Sequence, residues 1–304
     1  MVKINSVSFQ GVDMEISYRP AKKEDVPQLV ALFNAQYPRK KDETQVLWQY
    51  FGSFYPTVCY CAFSESTLVG AFTVQKRLLT DGTVIGHLID LMVAPEWRNQ
   101  GIFRALGVKA IEHFPDLEVV TVLPNRSGKV ASEKAFGLRT LAKIDDLIIQ
   151  KLSSIGQTTN VPPGEKMVRY QGGPEYEKWR YDENPRYRYE RIRLPDGSYV
   201  VAKLFTDPTT GEQFWDIVNY QLAGQGTEMR KLFALTVETL SKRGQVRIST
   251  WALPHTPLHK VLTGLDAQPL ARERYFCVKV LNPKREYLYD ITRWELVPAD
   301  AEIY

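Results

Sequence analysis

The sequence lacks the long apolar runs that membrane-spanning helices need. Its 304 residues contain no such run, and a span takes roughly 18 or more consecutive apolar residues. Residues 1–16, MVKINSVSFQGVDMEI, also lack the apolar core of a secretory signal peptide. These two absences predict no membrane partner and a cytoplasmic location.

Cysteine and histidine are scarce as well. The three cysteines, Cys59, Cys61 and Cys277, do not have the spacing of metal ligands, and the 4 histidines show no paired arrangement. Cys59 and Cys61 alternate within an apolar run, which predicts that both are small core side chains on one side of a strand. We therefore expect no metal site.

Charge of one sign is not concentrated either. The net charge is +4 and is spread along the chain, while 44% of the residues are hydrophobic and 24% charged, as in ordinary globular proteins. A mild, dispersed charge argues against a dedicated nucleic-acid binder, although it suits an anionic ligand. The length allows one large domain or two ordinary ones.

Two stretches of the chain resemble each other. Near residue 48 the chain reads LWQYFGSFYPTVCYCAF, and near residue 179 it reads KWRYDENPRYRYERI. Each continues through two turns into a third strand that carries an aspartate, Asp90 or Asp216, and then reaches a glycine and a helix. Parallels in the same order predict a duplication. We assign residues 1–152 to a first half, 153–164 to a linker rich in Ser, Gly, Pro and Thr, and 165–304 to a second half.

Hydrophobic periodicity predicts the elements of both halves. In the first half we expect strands at 15–19, 57–63, 68–79, 83–93, 118–123 and 138–151, and helices at 22–36, 43–51, 100–114 and 126–136. In the second half we expect strands at 187–194, 198–206, 212–222, 246–252 and 273–281, and helices at 227–243 and 256–264. Consecutive strands followed by strand–helix–strand predict an α/β fold with a mixed (α+β) sheet in each half.

The stretch VAPEWRNQGIFRAL, residues 93–106, carries the clearest chemical signal. Pro95 ends strand pairing, and the amides from Asn99 to Arg104 then fall in the first turn of a helix, where they have no intrahelical acceptor. Gly101 leaves room for a ligand, and Arg98 adds positive charge. The pattern predicts a phosphate site; from these residues alone, an ordinary capped helix with surface arginines is the alternative.

This stretch resembles the acyl-CoA-binding segment of the GCN5-related N-acyltransferases (GNAT). The residues that match run from Arg98 to Ile102, while Phe103 stands where a small residue is usual. Downstream, VVTVLPNRSGKVASEKAFGL resembles the next strand, asparagine and helix of that family. The resemblance implies two tandem acyl-CoA N-acyltransferase-like domains, the second degenerate, with acyl-CoA as co-substrate. The implied contacts to acyl-CoA are Met92, Val93, Arg98, Asn99, Gln100, Gly101, Ile102, Phe103, Arg104 and Asn125.

The resemblance also implies direct transfer of the acyl group from the thioester to a primary amine. Asp90 is the candidate general base, because the amine must lose a proton. Strand alternation places Asp90 on one face with Leu88 and Met92; the alternative is that it bonds a neighbouring loop. Asn125 can bond the pantetheine amides; a helix cap is the alternative, and the two roles are compatible. The tyrosine that often protonates the leaving thiolate is missing, since its place matches Ser132–Glu133.

The acceptor is less defined. Tandem forms with a degenerate second copy resemble bacterial enzymes that acylate nucleotide-linked amino sugars, so that small-molecule class is the leading expectation. The turn NYQLAGQGTEMRKL lacks an equivalent of Arg98, which predicts that the second half has lost the cofactor site. Alternatives are the acylation of an amino acid, polyamine or antibiotic amine, and non-catalytic acyl-CoA binding. The charge and the intact loop argue against a peptidyl-transferase-like enzyme that uses charged tRNA.

Overall fold

The computed structural model describes residues 5–9, 12–149, 167–207, 210–222, 229–243, 247–270 and 272–301. The strands are β1 (Asn5–Phe9), β2 (Val12–Pro20), β3 (Thr57–Ser64), β4 (Thr67–Leu78), β5 (Val84–Val93), β6 (Val119–Val122), β7 (Arg139–Lys143), β8 (Asp145–Ile149), β9 (Tyr189–Arg193), β10 (Tyr199–Thr206), β11 (Gln213–Gln221), β12 (Ile248–Ala252), β13 (Gln268–Pro269) and β14 (Tyr275–Val280). The helices are α1 (Val26–Gln36), α2 (Glu43–Val46), α3 (Ile102–Glu112), α4 (Arg126–Phe136), α5 (Pro174–Glu177), α6 (Met229–Ser241) and α7 (Pro257–Thr263).

These strands form two mixed sheets of similar design. The order of the first sheet is β1-β2-β3-β4-β5-β6-β14-β7, and that of the second is β9-β10-β11-β12-β8-β13. In the first sheet five antiparallel strands, β1 to β5, lead to the parallel pair of β5 with β6, and in the second sheet three, β9 to β11, lead to the parallel pair of β11 with β12. The predicted α/β class with a mixed sheet in each half is therefore confirmed.

The two sheets exchange one strand each, which the sequence analysis did not predict. The strand expected at 138–151 is two strands: β7 stays in the first sheet, while β8 pairs with β12 in the second. In return β14 fills the same slot between β6 and β7. Ile144, fully buried, separates β7 from β8. Each sheet therefore contains one strand from the other expected half of the chain. The linker assigned to 153–164 lies outside the described residues.

The duplication extends to an uncommon local feature. A π-helical turn follows α2 at Leu47–Phe51, and another follows α5 at Lys178–Asp182. Trp48 and Trp179 occupy the same place in these turns and stack on each other across the two halves, with ring centroids 4.6 Å apart and planes 15° apart. The two halves therefore meet through equivalent residues of the repeat.

Packing of α3 and α4 on the first sheet fixes the loops that precede them. Ile102, Leu106 and Ala110 are buried at four-residue spacing along α3, as an amphipathic helix requires. Gly107 lets α4 approach, because a Cβ there would lie 2.2 Å from Cζ of Phe136. Both helices thus begin at the same edge of the sheet, where β5 and β6 end.

Two smaller expectations can also be compared with the fold. Cys59 and Cys61 are both buried, as predicted for core side chains of β3. Within the described ranges, none of the helices is both long enough and apolar enough to cross a bilayer.

Candidate active site

A β-bulge in β5 places Asp90 at the centre of the candidate site. Ala71 pairs with Met92 and Thr73 with Ile89, so two residues of β5 lie opposite one residue of β4. Asp90 has a φ of 47°, which is unusual for a residue other than glycine. Bulges are common beside active sites because they redirect a side chain.

The bulge overturns part of the predicted face assignment. Strict alternation placed Met92 on the face of Leu88, but Met92 lies opposite Ala71, on the face of Ile89. The extra residue reverses the alternation for the rest of the strand. Met92 and Val93 are both buried, so only their main-chain groups can serve a ligand.

Asp90 is held by two donors from the region before β3. Its Oδ2 accepts a hydrogen bond from Lys41 Nζ at 2.5 Å and another from Tyr50 OH at 2.8 Å. The Lys41 side chain is 3% exposed and that of Asp90 is 10% exposed. Lys41 also donates to Gln49 Oε1 at 2.5 Å. Both Lys41 and Tyr50 therefore bond the same oxygen of the Asp90 side chain.

The second oxygen of Asp90 remains available. Among the described residues, none donates a hydrogen bond to Oδ1. The alternative interpretation, in which Asp90 bonds a neighbouring segment, is thus correct for one oxygen. It is compatible with a base role for the other oxygen.

Two tyrosines complete the surroundings of the bulge as neutral donors. Burial raises the pKa of Tyr50 well above its usual value, and the charge of Asp90 adds to this. Burial likewise raises the pKa of Tyr37, whose OH donates to the Leu91 carbonyl at 3.0 Å. Both phenols therefore remain protonated at neutral pH and fix the bulge in place.

The loop before α3 carries the free amides that the sequence predicted. Within the described ranges, no acceptor bonds the main-chain N–H groups from Asn99 to Arg104, and the first helical bond runs from Ala105 to the Gly101 carbonyl. Asn99 and Gly101 have φ values of 63° and 80°. Left-handed residues in such a turn direct amides into a concave anion-binding nest. A Cβ built on Gly101 meets no atom within 4 Å, so the space above the nest is open.

The side chains of this loop are partly engaged. Arg98 Nε donates to the Val93 carbonyl at 3.1 Å, which occupies one of the two acceptor sites of that oxygen. Gln100 Nε2 donates to the Glu96 carbonyl at 3.3 Å. Arg98 and Arg104 are exposed, and their charge remains close to the free amides.

Phe103, which departs from the family pattern, packs toward the core. Its ring lies 5.6 Å from that of Phe72 and 5.4 Å from that of Phe136. The bulky side chain therefore leaves the nest unobstructed. Ile102 is buried beside it, so both residues can offer a ligand only their main-chain N–H groups.

A gap opens between β5 and β6 next to the bulge. Their pairing runs from Ile85 with Val119 to Leu88 with Val122 and stops there, although β5 continues to Val93. Asn125 lies at the end of this gap and caps α4, since its Oδ1 accepts from the Gly128 amide at 2.9 Å. A groove of about 620 Å³ lies beside Asn125. The capping role is confirmed, and a role toward pantetheine stays a prediction.

The place of the missing tyrosine holds Ser132 and Glu133. Ser132 is fully buried, and no described residue bonds its hydroxyl. Glu133 accepts a hydrogen bond from Thr140 at 2.6 Å, and this bond lowers the pKa of Glu133. His87 is 1% exposed and bonds Thr121 at 2.9 Å.

The second half differs at the corresponding place. Asp216 pairs directly with Lys203 of β10 before the bulge of β11, which falls at Val218, so it is not the structural equivalent of Asp90. The tyrosine equivalent to Tyr50 is Tyr181, and it accepts a bond from Asn219 Nδ2 at 3.0 Å. The turn that should show the lost cofactor site includes residues 223–228, which lie outside the described residues.

Sequence reasoning missed Lys41, Tyr50 and Tyr37. Tyr50 belongs to the repeated Trp–x–Tyr pattern, so the repeat itself marked it. Lys41 precedes Asp90 by 49 positions, and no local spacing links the two.

The family model with the description "Acetyltransferase (GNAT) family" matches residues 26–131. This range contains Lys41, the bulge and the nest. This part of the chain, residues 26–131, therefore matches a GNAT acetyltransferase domain. No curated protein matches the chain.

Solved structures extend the likeness of fold to both halves. A GNAT protein of Anabaena variabilis has a TM-score of 0.62 at 12% identity, covering 88% of this chain and 73% of its own. A tandem GNAT protein from the clavulanic acid biosynthesis pathway has a TM-score of 0.56 at 18% identity, covering 88% and 99%. The glucosamine N-acetyltransferase region of a fungal multi-domain β-N-acetylglucosaminidase has a TM-score of 0.60 at 15% identity, covering 88% of this chain. This chain spans only 38% of that fungal protein.

Acyl transfer from a CoA thioester to an amine is the general activity of the GNAT family. The family match over residues 26–131 agrees with the predicted class, an acyl-CoA-dependent N-acyltransferase, at that level.

Proposed function

We propose that this chain transfers an acyl group from acyl-CoA directly to the primary amine of a nucleotide-linked amino sugar. The observation that carries the proposal is the position of Asp90, whose Oδ1 is open at a bulge beside the gap between β5 and β6. The nest lies at the same edge of the sheet. A base for the acceptor amine and an anion site for the acyl donor are thereby available at one edge of the sheet.

The amides from Asn99 to Arg104 fit the pyrophosphate of coenzyme A. They are unbonded, they precede a helix whose dipole favours anions, and the arginines at positions 98 and 104 add charge. The unpaired edge of β5 beyond Leu88 offers main-chain groups to the pantetheine arm, in the manner of an added strand. Met92, Val93 and Asn125 are the contacts proposed there.

Asp90 then acts on the acceptor. Its Oδ1 accepts a proton from the amine as the C–N bond forms, and the C–S bond breaks to release the CoA thiolate. Lys41 and Tyr50 keep the carboxylate oriented through Oδ2, which is a positioning role. A thiolate is a weak enough base to leave without a protein acid, which accommodates the missing tyrosine.

A cluster of cations beside Asp90 supports an acceptor that carries phosphate. Arg39 and Arg186 both lie over the ring of Tyr187, at 5.5 and 5.3 Å from its centroid. Burial lowers the pKa of Arg39, while the charge of Asp90 opposes that shift. Arg186 also bonds the Lys40 carbonyl, next to Lys41. Cations from both halves thus adjoin the base, and the amino-sugar activity in the name of the fungal neighbour adds support for a sugar amine.

The test is release of free CoA thiol with a panel of amines that includes nucleotide-linked amino sugars, polyamines and amino acids. Asp90→Asn should lower kcat by about 10²- to 10⁴-fold on the best amine. CoA affinity, measured by calorimetry, should stay the same. Asp116→Asn, at an exposed carboxylate, is the matched control and should keep full activity.

Two results would contradict the proposal. An unchanged kcat in Asp90→Asn would remove the base role. Tight CoA binding with no turnover on any amine would favour a non-catalytic acyl-CoA-binding protein, and preference for an uncharged small amine would exclude the nucleotide-linked class.

A further inference from the structure

A second cavity lies in the second half, away from Asp90. Its volume is about 710 Å³, within the range of small-molecule sites. The walls come from the segment 169–177, from β9, β10 and β11, and from residues 297–300, with Tyr55 and Thr80 contributed by the first half. The cavity is therefore a feature of the assembled pair of halves.

Its position matches that of the candidate active site in the first half. Asn219, directly after the bulge residue Val218 of β11, lines the cavity and bonds Tyr181 of the π-helical turn. In the first half the bulge of β5 carries Asp90, bonded to Tyr50 of the equivalent turn. An amide thus stands where the other half has a carboxylate. A molecule in this cavity meets no base at that point, so binding without acyl transfer is expected.

Aromatic rings form much of the wall. Tyr55, Tyr170, Tyr176 and Tyr199 all line the cavity. Tyr55 and Tyr176 are 6% and 8% exposed, with ring centroids 5.6 Å apart. Rigid amphipathic rings pack well against a flat ligand with apolar faces and a polar edge.

The charges of the lining balance each other. Arg169 is paired with Glu295 at 3.4 Å, and Glu177 is paired with Arg191 at 3.6 Å. The other two ionisable groups, Arg193 and Asp300, have opposite signs once Asp300 is ionised, above about pH 7. The cavity therefore offers no net charge to a ligand, and a strongly charged ligand would be desolvated without compensation.

Asp300 is the polar group with open capacity. It is 7% exposed, its Oδ2 accepts from the Val297 amide at 2.8 Å, and no described residue bonds Oδ1. The amide side chains of Asn219, Gln171 and Gln221 line the same space. Several fixed donors and acceptors around a buried oxygen suit a ligand with several hydroxyl groups.

We infer that this cavity binds a neutral carbohydrate ring and does not acylate it. The tyrosine rings would stack against the faces of the sugar, and Asp300 Oδ1 with the amides would bond its hydroxyls. The inference does not depend on the acyl acceptor, because it concerns a different cavity with different residues.

The test uses four probes that share one ring: D-glucose, N-acetyl-D-glucosamine, D-glucosamine and D-glucose 6-phosphate. Saturation-transfer NMR on the full chain should give the tightest binding for the two neutral probes. Gly173→Trp should weaken that binding by about tenfold or more, because a Cβ on Gly173 meets no atom within 4 Å and the added ring fills the cavity. Lys178→Trp, five positions further along at an exposed side chain, is the matched control.

Asp300→Asn provides a second variant that keeps the bond to Val297 and replaces one acceptor oxygen. We expect weaker binding of the neutral probes and unchanged CoA release with the best amine. The inference is overturned if no neutral probe binds at millimolar concentration, if Gly173→Trp and Asp300→Asn both bind like the parent chain, or if a charged probe binds more tightly.

Discussion

The two halves use the same local frame around different polar groups. In the first, a tyrosine of a π-helical turn bonds Asp90 at the bulge of the third strand, and Lys41 bonds the same carboxylate oxygen. In the second, the equivalent tyrosine accepts a bond from Asn219. The π-helical turn and the bulge are therefore both present in the second half, although the carboxylate is not. The fold thus positions a polar side chain beside the bulge whether or not that side chain can act as a base.

The comparison also concerns buried charge. Lys41 and Asp90 form an ion pair that is almost fully removed from water. Such a pair contributes little net stability compared with apolar residues of similar volume, but the removal of one partner is strongly destabilising. The second half has its own buried pair, Lys203 and Asp216, with Nζ and Oδ2 4.0 Å apart. That pair lies before the bulge, so it cannot serve a reacting amine in the same way.

The largest expected effect is on donor binding, because the comparison predicts one CoA per chain. Gly101→Glu places a negative charge beside the unbonded amides and forces a side chain onto a residue with φ of 80°. We expect CoA affinity to fall by about 100-fold or more, as like charge replaces a favourable site. Calorimetry gives both the affinity and the stoichiometry.

Gly82→Glu is the control for that substitution. Gly82 has a φ of 82°, and its Cβ position is likewise open, so the backbone strain is matched at a turn far from the nest. Equal CoA affinity in the two variants, or binding of two CoA molecules per parent chain, would contradict the proposal that only the first half binds CoA.

The next effect concerns the Lys41–Asp90 pair. Lys41→Met leaves a carboxylate that is 10% exposed without its ammonium, and such a loss typically costs about 3–5 kcal/mol of unfolding free energy. The double variant Lys41→Met with Asp90→Asn should recover most of the lost unfolding free energy, because no unpaired charge is then buried. Urea unfolding measures all three chains.

Lys76 offers a matched control for this pair, since it bonds Asp116 at an exposed site. Lys76→Met should cost about 0.5 kcal/mol or less. If Lys76→Met and Lys41→Met proved equally destabilising, the buried ion pair would lose its assigned importance.

Much of this architecture could be predicted from the sequence, for an identifiable reason. Apolar periodicity reports which side chains are buried, and it located most strands and helices of both halves to within a few residues, although β1, α5 and β13 were not predicted. It does not report which sheet a strand joins: β8 and β14 are both apolar strands, and either could complete either sheet. Only the packing of the two halves decides that exchange.

The site was predicted in part for similar reasons. The nest is local, so Arg98 to Arg104 marked it directly. The bulge at Asp90 has no such mark, because nothing in LIDLMV requires a left-handed φ, and alternation therefore assigned Met92 to the wrong face. Lys41 lies on a different segment and reaches Asp90 only through the fold.

A smaller effect should appear in the pH dependence of stability. Burial raises the pKa of Asp300 to about 7, while Arg169 and Arg77 act against that shift and Glu295 adds to it. The folded chain then binds a proton that the unfolded chain has released, so Asp300 favours folding at low pH and this contribution is lost as pH rises toward 7. From pH 5 to 7 we expect a loss on the order of 2 kcal/mol from this group.

Asp300→Asn should remove that part of the pH dependence. Urea unfolding of the parent and the variant at pH 5, 6 and 7 measures it. Asp116→Asn, at a carboxylate on the surface, should leave the slope unchanged. A parent-like slope in Asp300→Asn would mean that the group titrates in the folded chain as it does in the unfolded one.

The smallest expected effect is the coupling energy between Trp48 and Trp179, the equivalent residues through which the two halves meet. Trp48 and Trp179 stack at 4.6 Å, and aromatic pairs contribute about 0.5–1.5 kcal/mol beyond the area they bury. A double-mutant cycle with Trp48→Leu and Trp179→Leu should therefore give a coupling of about 1 kcal/mol in unfolding free energy. The same cycle with Trp48→Leu and Trp215→Leu should be additive within about 0.5 kcal/mol, as expected for side chains without a shared contact. Equal coupling in the two cycles would show that the stack adds nothing specific to the joining of the halves.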